Sequence, residues 1–152
     1  MNVLRKPAVR RLLAIALGVT FVYASLDKIW GPGDFARIVY HYRLVGPNQH
    51  LGPLPANLLA VTLPWIEALA GVLLIVGLWR REAAAVTGLM LLTFIFAVGW
   101  ALSMGIDIEN CGCFSVSGAG RAAGWKLLLG DAGLLALAAI LMLPDARTAD
   151  QT

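Results

Sequence analysis

Two thiols in the chain are close enough together to act as a pair. Cys111 and Cys113 are the only cysteines among the 152 residues, and a single glycine separates them. They follow a long uncharged apolar segment and are preceded by the polar residues Asp107, Glu109 and Asn110. A close pair of thiols in a polar loop could exchange electrons with other thiols, bind a soft metal ion or form a structural bridge.

The spacing of the pair favours redox chemistry over a structural bridge. Cysteines two positions apart lie near the upper distance limit for a disulfide unless the backbone turns, and Gly112 permits such a turn. A bridge that encloses one residue restricts the unfolded chain very little, so it adds little stability. Strained, exposed disulfides also exchange readily. We therefore predict that Cys111 and Cys113 are the catalytic residues of a thiol–disulfide oxidoreductase.

Two alternatives stay open at this level. Thiolates also suit soft metal or metalloid ions such as copper(I), mercury or zinc. Two thiolates leave the coordination incomplete, and the residues that could complete it are His41 and His50, in a different loop. The third interpretation is a non-catalytic subunit of a membrane complex.

The composition predicts a protein embedded in the lipid bilayer. Apolar residues make up 59% of the chain and charged residues 14%, against about a quarter charged in soluble domains. The net charge of +3 is small. The basic residues lie mostly at the ends of apolar segments, so we interpret them as topology signals and expect no nucleic-acid partner.

Four apolar segments are long enough to cross a bilayer, which takes about 20 residues of helix. Backbone groups in lipid must find their hydrogen bonds within the protein, and no alternating β pattern competes. We predict an all-α, integral membrane four-helix bundle that forms a single membrane domain over residues 1–152. The predicted spans are about 12–30, 56–79, 83–106 and 125–143, with outer loops at 31–55 and 107–124.

The first outer loop contains the pattern of a short amphipathic helix. Phe35, Ile38, Val39 and Tyr42 recur at helical spacing, and Asp34 is placed to be the N-cap. We expect this helix to lie on the outer membrane surface with its apolar face toward lipid. The alternative is a lid over the cysteine loop.

The basic residues predict the orientation of the spans. By the excess of lysine and arginine in its connections, the side that carries both chain termini is cytoplasmic. The residues on that side are Arg5, Lys6, Arg10, Arg11, Arg80, Arg81 and Arg147. The cysteine loop then faces the periplasm or the cell exterior, where disulfides persist.

Ionisable residues lie within or beside three of the predicted spans, where such groups are costly and serve function or paired structure. Asp27 and Lys28 are at the outer end of the first span, Glu67 is near the middle of the second, and Asp131 is close to the start of the fourth. We predict a polar pocket beneath the cysteine loop, and pairing of Lys28 with Glu67 or Asp131 is compatible with it. The pocket candidates are Tyr23, Asp27, Lys28, Trp65, Glu67 and Asp131.

Several of these motifs resemble one known family. The run Ala24-Ser25-Leu26-Asp27-Lys28-Ile29, then Phe35-Ala36 and Tyr42, and Leu63-Pro64-Trp65-Ile66-Glu67 with Gly71 are similar to the DoxX/MauE group of small four-helix membrane proteins. The run Asn110-Cys111-Gly112-Cys113-Phe114 is similar to the cysteine loop of the MauE branch. The resemblance extends from about Leu12 to Leu143.

The resemblance implies a redox-associated, multi-pass protein of the bacterial inner membrane. MauE proteins are linked to maturation of periplasmic methylamine dehydrogenase, a disulfide-rich enzyme, alongside a thioredoxin-like partner. DoxX relatives are linked to thiosulfate and thiol oxidation, with a quinone as the implied electron acceptor. For this chain the resemblance therefore implies a thioredoxin-like periplasmic partner, and it leaves the cofactor open, with a quinone as the candidate electron acceptor.

Overall fold

The computed structural model describes residues 7–41, 56–105 and 125–143, and within these ranges all regular structure is α-helical. This confirms the predicted all-α class. Four helices form the bundle and a short one, α2, lies between the first two. The helices are α1 (Pro7–Trp30), α2 (Pro32–His41), α3 (Ala56–Val76), α4 (Arg80–Ser103) and α5 (Trp125–Met142).

The boundaries of the predicted spans shift by a few residues. α1 begins at Pro7 rather than at residue 12, since proline suits the first turn of a helix, where its missing N–H is not needed. α3 ends at Val76 because a tight turn follows. In that turn Gly77 and Trp79 have positive φ angles of 85° and 45°, which reverse the chain into α4.

The described residues form the helices of a multi-pass membrane protein. Three helices are long and apolar enough to cross a membrane: Pro7–Trp30, Asn57–Val76 and Arg80–Ser103. The apolar part of α5, Leu128–Met142, is shorter. Large apolar side chains cover the outer surface of the bundle, among them Leu12, Val19 and Leu26 of α1. An exposed apolar surface of this extent is typical of contact with lipid.

The helices associate as two closely packed pairs. α1 packs chiefly against α3 and α4 packs chiefly against α5, while contacts of α3 with α4 and of α1 with α5 close the bundle. The α1–α3 contact is a backbone contact at Gly18 and Gly71. A Cβ atom on Gly18 would lie 2.5 Å from the carbonyl oxygen of Gly71, and one on Gly71 would lie 2.8 Å from that of Gly18. Small residues at helix interfaces in membranes allow this approach.

Arg10 joins the beginning of α1 to the end of α5. Its side chain is buried, and its Nη2 atom donates to the carbonyl oxygens of Leu141 and Leu143 at 2.9 and 2.6 Å. The last carbonyls of a helix have no partner within the helix, so a basic side chain here satisfies and neutralises them. Arg10 is thus a structural residue, whereas the sequence had indicated only a topology signal.

The short helix α2 departs from two predictions. It begins at Pro32, which places Asp34 within the first turn rather than at the N-cap. Its apolar face packs on the bundle instead of facing lipid: Phe35 and Ala36 are buried in a cluster with Ala60 of α3, and Phe94 of α4 packs against it. The expectation of a lipid-facing helix is therefore wrong. The reason is that the bundle offers this face a fitting apolar surface.

The Gly18–Gly71 contact gives a test of the α1–α3 interface. Gly18→Ala should lower the free energy of unfolding by about 1–3 kcal/mol, because the added methyl must displace a backbone carbonyl. The matched control is Gly99→Ala in α4, where a new Cβ has no heavy atom within 4 Å. Thermal unfolding of the purified proteins in detergent measures both. Equal stability of the two variants would contradict the close approach.

Candidate functional site

The centre of the site is an ion pair buried between α1 and α3. The Nζ atom of Lys28 donates to both carboxylate oxygens of Glu67, at 2.9 and 2.7 Å. The relative exposure of Lys28 is 0% and that of Glu67 is 2%. The pairing of Lys28 with Glu67 is one of the two that the sequence had suggested. Burying two charges is costly unless their geometry is good, and two short charge-assisted bonds meet this condition.

The position of Lys28 in its helix explains how the pair forms. Lys28 lies in the last turn of α1. Because Cα–Cβ bonds tilt toward the N-terminus of a helix, its side chain points back into the bundle rather than out toward the membrane surface. Its positive charge also suits the C-terminal end of a helix dipole. Glu67, near the middle of α3, meets the ammonium group there.

Two aromatic rings cover the ammonium group of Lys28. The Nζ atom lies 5.5 Å from the ring centroid of Phe35 and 5.2 Å from that of Phe94. Both distances fall within the range of cation–π contacts, about 6 Å. Phe35 belongs to α2 and Phe94 to α4, so the ion pair between α1 and α3 is enclosed by two further helices.

Asp131 brings a second carboxyl group from α5 to the same region. It is 1% exposed and interacts electrostatically with Lys28. Among the described residues, neither of its side-chain oxygens has a hydrogen-bond partner. Asp131, Glu67 and Thr20 line a cavity of about 10 Å³ whose other lining residues are apolar. This volume is sufficient for about one water molecule.

The structure places the predicted pocket residues in two groups. Lys28, Glu67 and Asp131 come together inside the bundle, with the half-buried Asp27 next to Lys28 in sequence. Tyr23 and Trp65 are 71% and 62% exposed on the outer surface, and neither lines the cavity.

The expectation that Tyr23 and Trp65 line the pocket does not fit this placement. The buried residues Phe21, Ala24 and Lys28 define the face of α1 that points into the bundle. Tyr23 is one residue before Ala24, so its side chain points away from this face. The sequence did not identify Phe35 and Phe94 as the residues whose rings cover the ammonium group of Lys28. Phe35 had a signal, since it lies on the apolar face of an amphipathic helix.

The cysteine pair lies outside the described residues, as does His50, and only the backbone of His41 is described. The chain nevertheless limits where the segment with the cysteines attaches. α5 ends beside Arg10, near the beginning of α1, so α5 begins at the opposite end, where α1 ends. α4 runs antiparallel to α5, because Gly88 neighbours Ala138 while Leu91 and Asp131 share the cavity.

The segment 106–124 therefore leaves α4 and enters α5 at the end of the bundle that holds Lys28 and α2.

The internal cavity does not fit the quinone that the family resemblance implied. A volume of about 10 Å³ is far below that of an aromatic ring, since it holds about one water molecule. Trp65, which we had expected to line the pocket, lies on the outer surface. We therefore derive no electron-transfer step through a quinone in this cavity.

Comparison with known proteins gives a consistent result. The family model described as "Methylamine utilisation protein MauE" matches residues 6–144. The chain is 32% identical over 133 residues to the methylamine utilization protein MauE of Paracoccus denitrificans. The aligned region covers 88% of this chain and 68% of that protein. It is 25% identical over 112 residues to the protein of the same name from Methylophilus methylotrophus. This aligned region covers 74% of this chain and 56% of that protein. No solved structure matches the chain significantly.

The buried ion pair predicts an unequal response to two identical substitutions. Glu67→Gln should lower the free energy of unfolding by about 3–5 kcal/mol, because it leaves the charge of Lys28 buried without a counter-ion. Glu82→Gln changes an exposed residue in the first turn of α4 and should have little effect. Denaturant or thermal unfolding in detergent measures both.

A double variant separates the charge from the packing. Adding Lys28→Met to Glu67→Gln should recover part of the lost stability, because the unpaired cation is then gone. If Glu67→Gln is as stable as Glu82→Gln, the pair does not hold α1 against α3.

Proposed function

Because this chain belongs to the MauE family of membrane proteins, we propose that it is a membrane thiol–disulfide redox protein that serves methylamine utilisation. In this proposal Cys111 and Cys113 exchange electrons with a thioredoxin-like periplasmic protein or with a substrate protein. The name of the family and of two relatives supports a role in methylamine utilisation. The Cys-Gly-Cys motif supports the chemistry.

One observation carries the proposal: the position of the described ends of α4 and α5, between which both cysteines lie in the sequence. The segment with both cysteines connects α4 to α5 at the end of the bundle closed by α2 and the Lys28–Glu67 pair. Reactive residues are commonly carried on loops that a rigid scaffold positions. In this proposal the helical bundle is the scaffold, and the connection between α4 and α5 presents the thiol pair to a soluble partner at one membrane surface.

The exchange conserves electrons and protons. A partner thiolate attacks one sulfur of the Cys111–Cys113 disulfide, the S–S bond breaks, and a mixed disulfide forms. The second partner thiolate then attacks that mixed disulfide. The partner leaves with a new disulfide of its own, and the cysteine pair gains two electrons and two protons as two thiols. The relative reduction potentials of the two pairs determine the direction of the exchange.

We further propose that the protein lies in the bacterial inner membrane with both termini in the cytoplasm. Exposed arginines support this orientation, since Arg11 and Arg81 lie at the end of the bundle where α1 begins and α4 begins. The excess of basic residues marks the cytoplasmic side. The cysteine segment is then periplasmic, where a soluble thioredoxin-like partner can reach it.

The orientation can be tested by labelling. A membrane-impermeant maleimide added to intact spheroplasts should label Cys111 and Cys113 after reduction, because the proposal places them outside. Single cysteines introduced at Arg11 and Arg81 in a Cys111→Ser/Cys113→Ser background are the control and should react only after lysis. Labelling of the native pair only after lysis would reverse the topology.

The redox role predicts the behaviour of the single cysteine variants. Cys111→Ser and Cys113→Ser should each abolish function while the helical bundle stays folded, because a one-residue bridge adds little stability. Each variant keeps one thiol, which should trap the partner as a mixed disulfide on non-reducing gels. The cysteine whose retention gives the stronger adduct is the one that forms the mixed disulfide with the partner.

Other roles give different outcomes in the same experiment. A structural bridge predicts lower thermal stability of both variants and no partner adduct. A metal site predicts that both variants lose bound metal and that a chelator reproduces the defect. Growth on methylamine that is unaffected by Cys111→Ser/Cys113→Ser would overturn the proposed function.

A further inference from the structure

We infer that Asp131 forms a proton-binding site inside the bundle, where its carboxyl group and a water in the adjoining cavity hold one exchangeable proton. The inference concerns side chains of α1, α3 and α5. It does not depend on the chemistry of the cysteine pair.

The balance of charge is the first argument. Both oxygens of Glu67 accept hydrogen bonds from Lys28, so these two residues neutralise each other. Asp131 adds a second buried carboxyl group, and among the described residues no donor reaches its oxygens. In the ionised form it would leave one net negative charge in an apolar interior, which is costly. One bound proton removes that charge.

Among the residues that the structure describes, the surroundings of Asp131 show no second cation that could replace the proton. To this region α1 contributes Lys28, whose hydrogen bonds go to Glu67 of α3. α4 contributes apolar side chains to the cavity, and α2 contributes the ring of Phe35. In the described ranges, therefore, the cation that acts on Asp131 is Lys28, and its hydrogen bonds already go to Glu67.

The cavity provides the partner that a protonated carboxyl group needs. Its volume of about 10 Å³ suffices for one water, and a buried water is stable with two to four polar contacts. Asp131, Glu67 and Thr20 all line it. The hydroxyl of Thr20 donates to the carbonyl oxygen of Ala16 at 2.9 Å, so its own oxygen can still accept a bond from the water.

A metal ion fits the same cavity poorly. Hard cations gather about six or more oxygen ligands, whereas two carboxyl groups and one hydroxyl are the polar groups here. The remaining lining residues are apolar: Phe21, Ala24, Leu91, Phe94 and Leu134. A proton needs only one carboxyl oxygen and one acceptor, and it is the ligand that this site can hold.

Infrared spectroscopy of the purified full-length chain in lipid nanodiscs tests the inference. At neutral pH the wild type should show one carbonyl stretch of a protonated carboxylic acid, and it should shift in D₂O because the proton exchanges. Labelling aspartate with ¹³C should move this band. Asp131→Asn should abolish it, whereas Asp34→Asn, which changes an exposed residue of α2, should leave it unchanged.

A conservative variant keeps the test decisive if Asp131→Asn fails to fold. In Asp131→Glu the band should move from the aspartate label to the glutamate label. The inference is wrong if the wild type has no such band at neutral pH, or if the band survives Asp131→Asn. It is also wrong if the band appears only when sodium is replaced by choline, which would identify a bound metal cation.

Discussion

The ion pair between Lys28 and Glu67 is the interaction on which the arrangement of the helices depends. A charged pair in a membrane-embedded bundle has no access to bulk water, so removing either partner would leave the other as an uncompensated buried charge. The pair fixes the rotation of α1 against α3, since both side chains must point into one interface. It also explains the two rings that cover it, because Phe35 and Phe94 keep water from the ammonium group while contacting its charge. α2 thus contributes one side of the enclosure around the buried charge.

A second contact on the same interface sets how close the two helices come. Gly18 lies ten positions before Lys28, nearly three turns along α1, and touches the backbone of Gly71. Apolar helices gain little from the hydrophobic effect when they associate in lipid, so close packing and polar contacts must stabilise the association. A backbone contact and a charged pair, separated along one helix, together determine distance, rotation and register. Buried ion pairs are better evidence for such specificity than for net stability, and this interface fits that role.

The sequence predicted the architecture well and the enclosure of the site poorly, for physical reasons. Long apolar runs in a charge-poor chain have few structural solutions in lipid, so the spans could be recognised. Lys28, Glu67 and Asp131 could be found because ionisable groups in such runs are costly. In contrast, Tyr23 and Trp65 look alike whether they face lipid or a pocket, because both environments accept aromatic rings. The docking of Phe35 depends on which apolar surface is nearer, the bundle or the lipid, and no local pattern encodes that choice.

Two polar links join α1 to other helices of the bundle, and this bears on the cysteine segment. Arg10 holds the end of α5, and Lys28 holds α3. α4 and α5, which the cysteine segment joins, contact each other mainly through apolar packing. A bundle held in this way does not need a covalent bridge between α4 and α5. The disulfide that we propose for the connection between them could then open and close without loss of the fold. A thiol pair that exchanges electrons requires this independence, and a structural disulfide would have made the fold depend on its redox state.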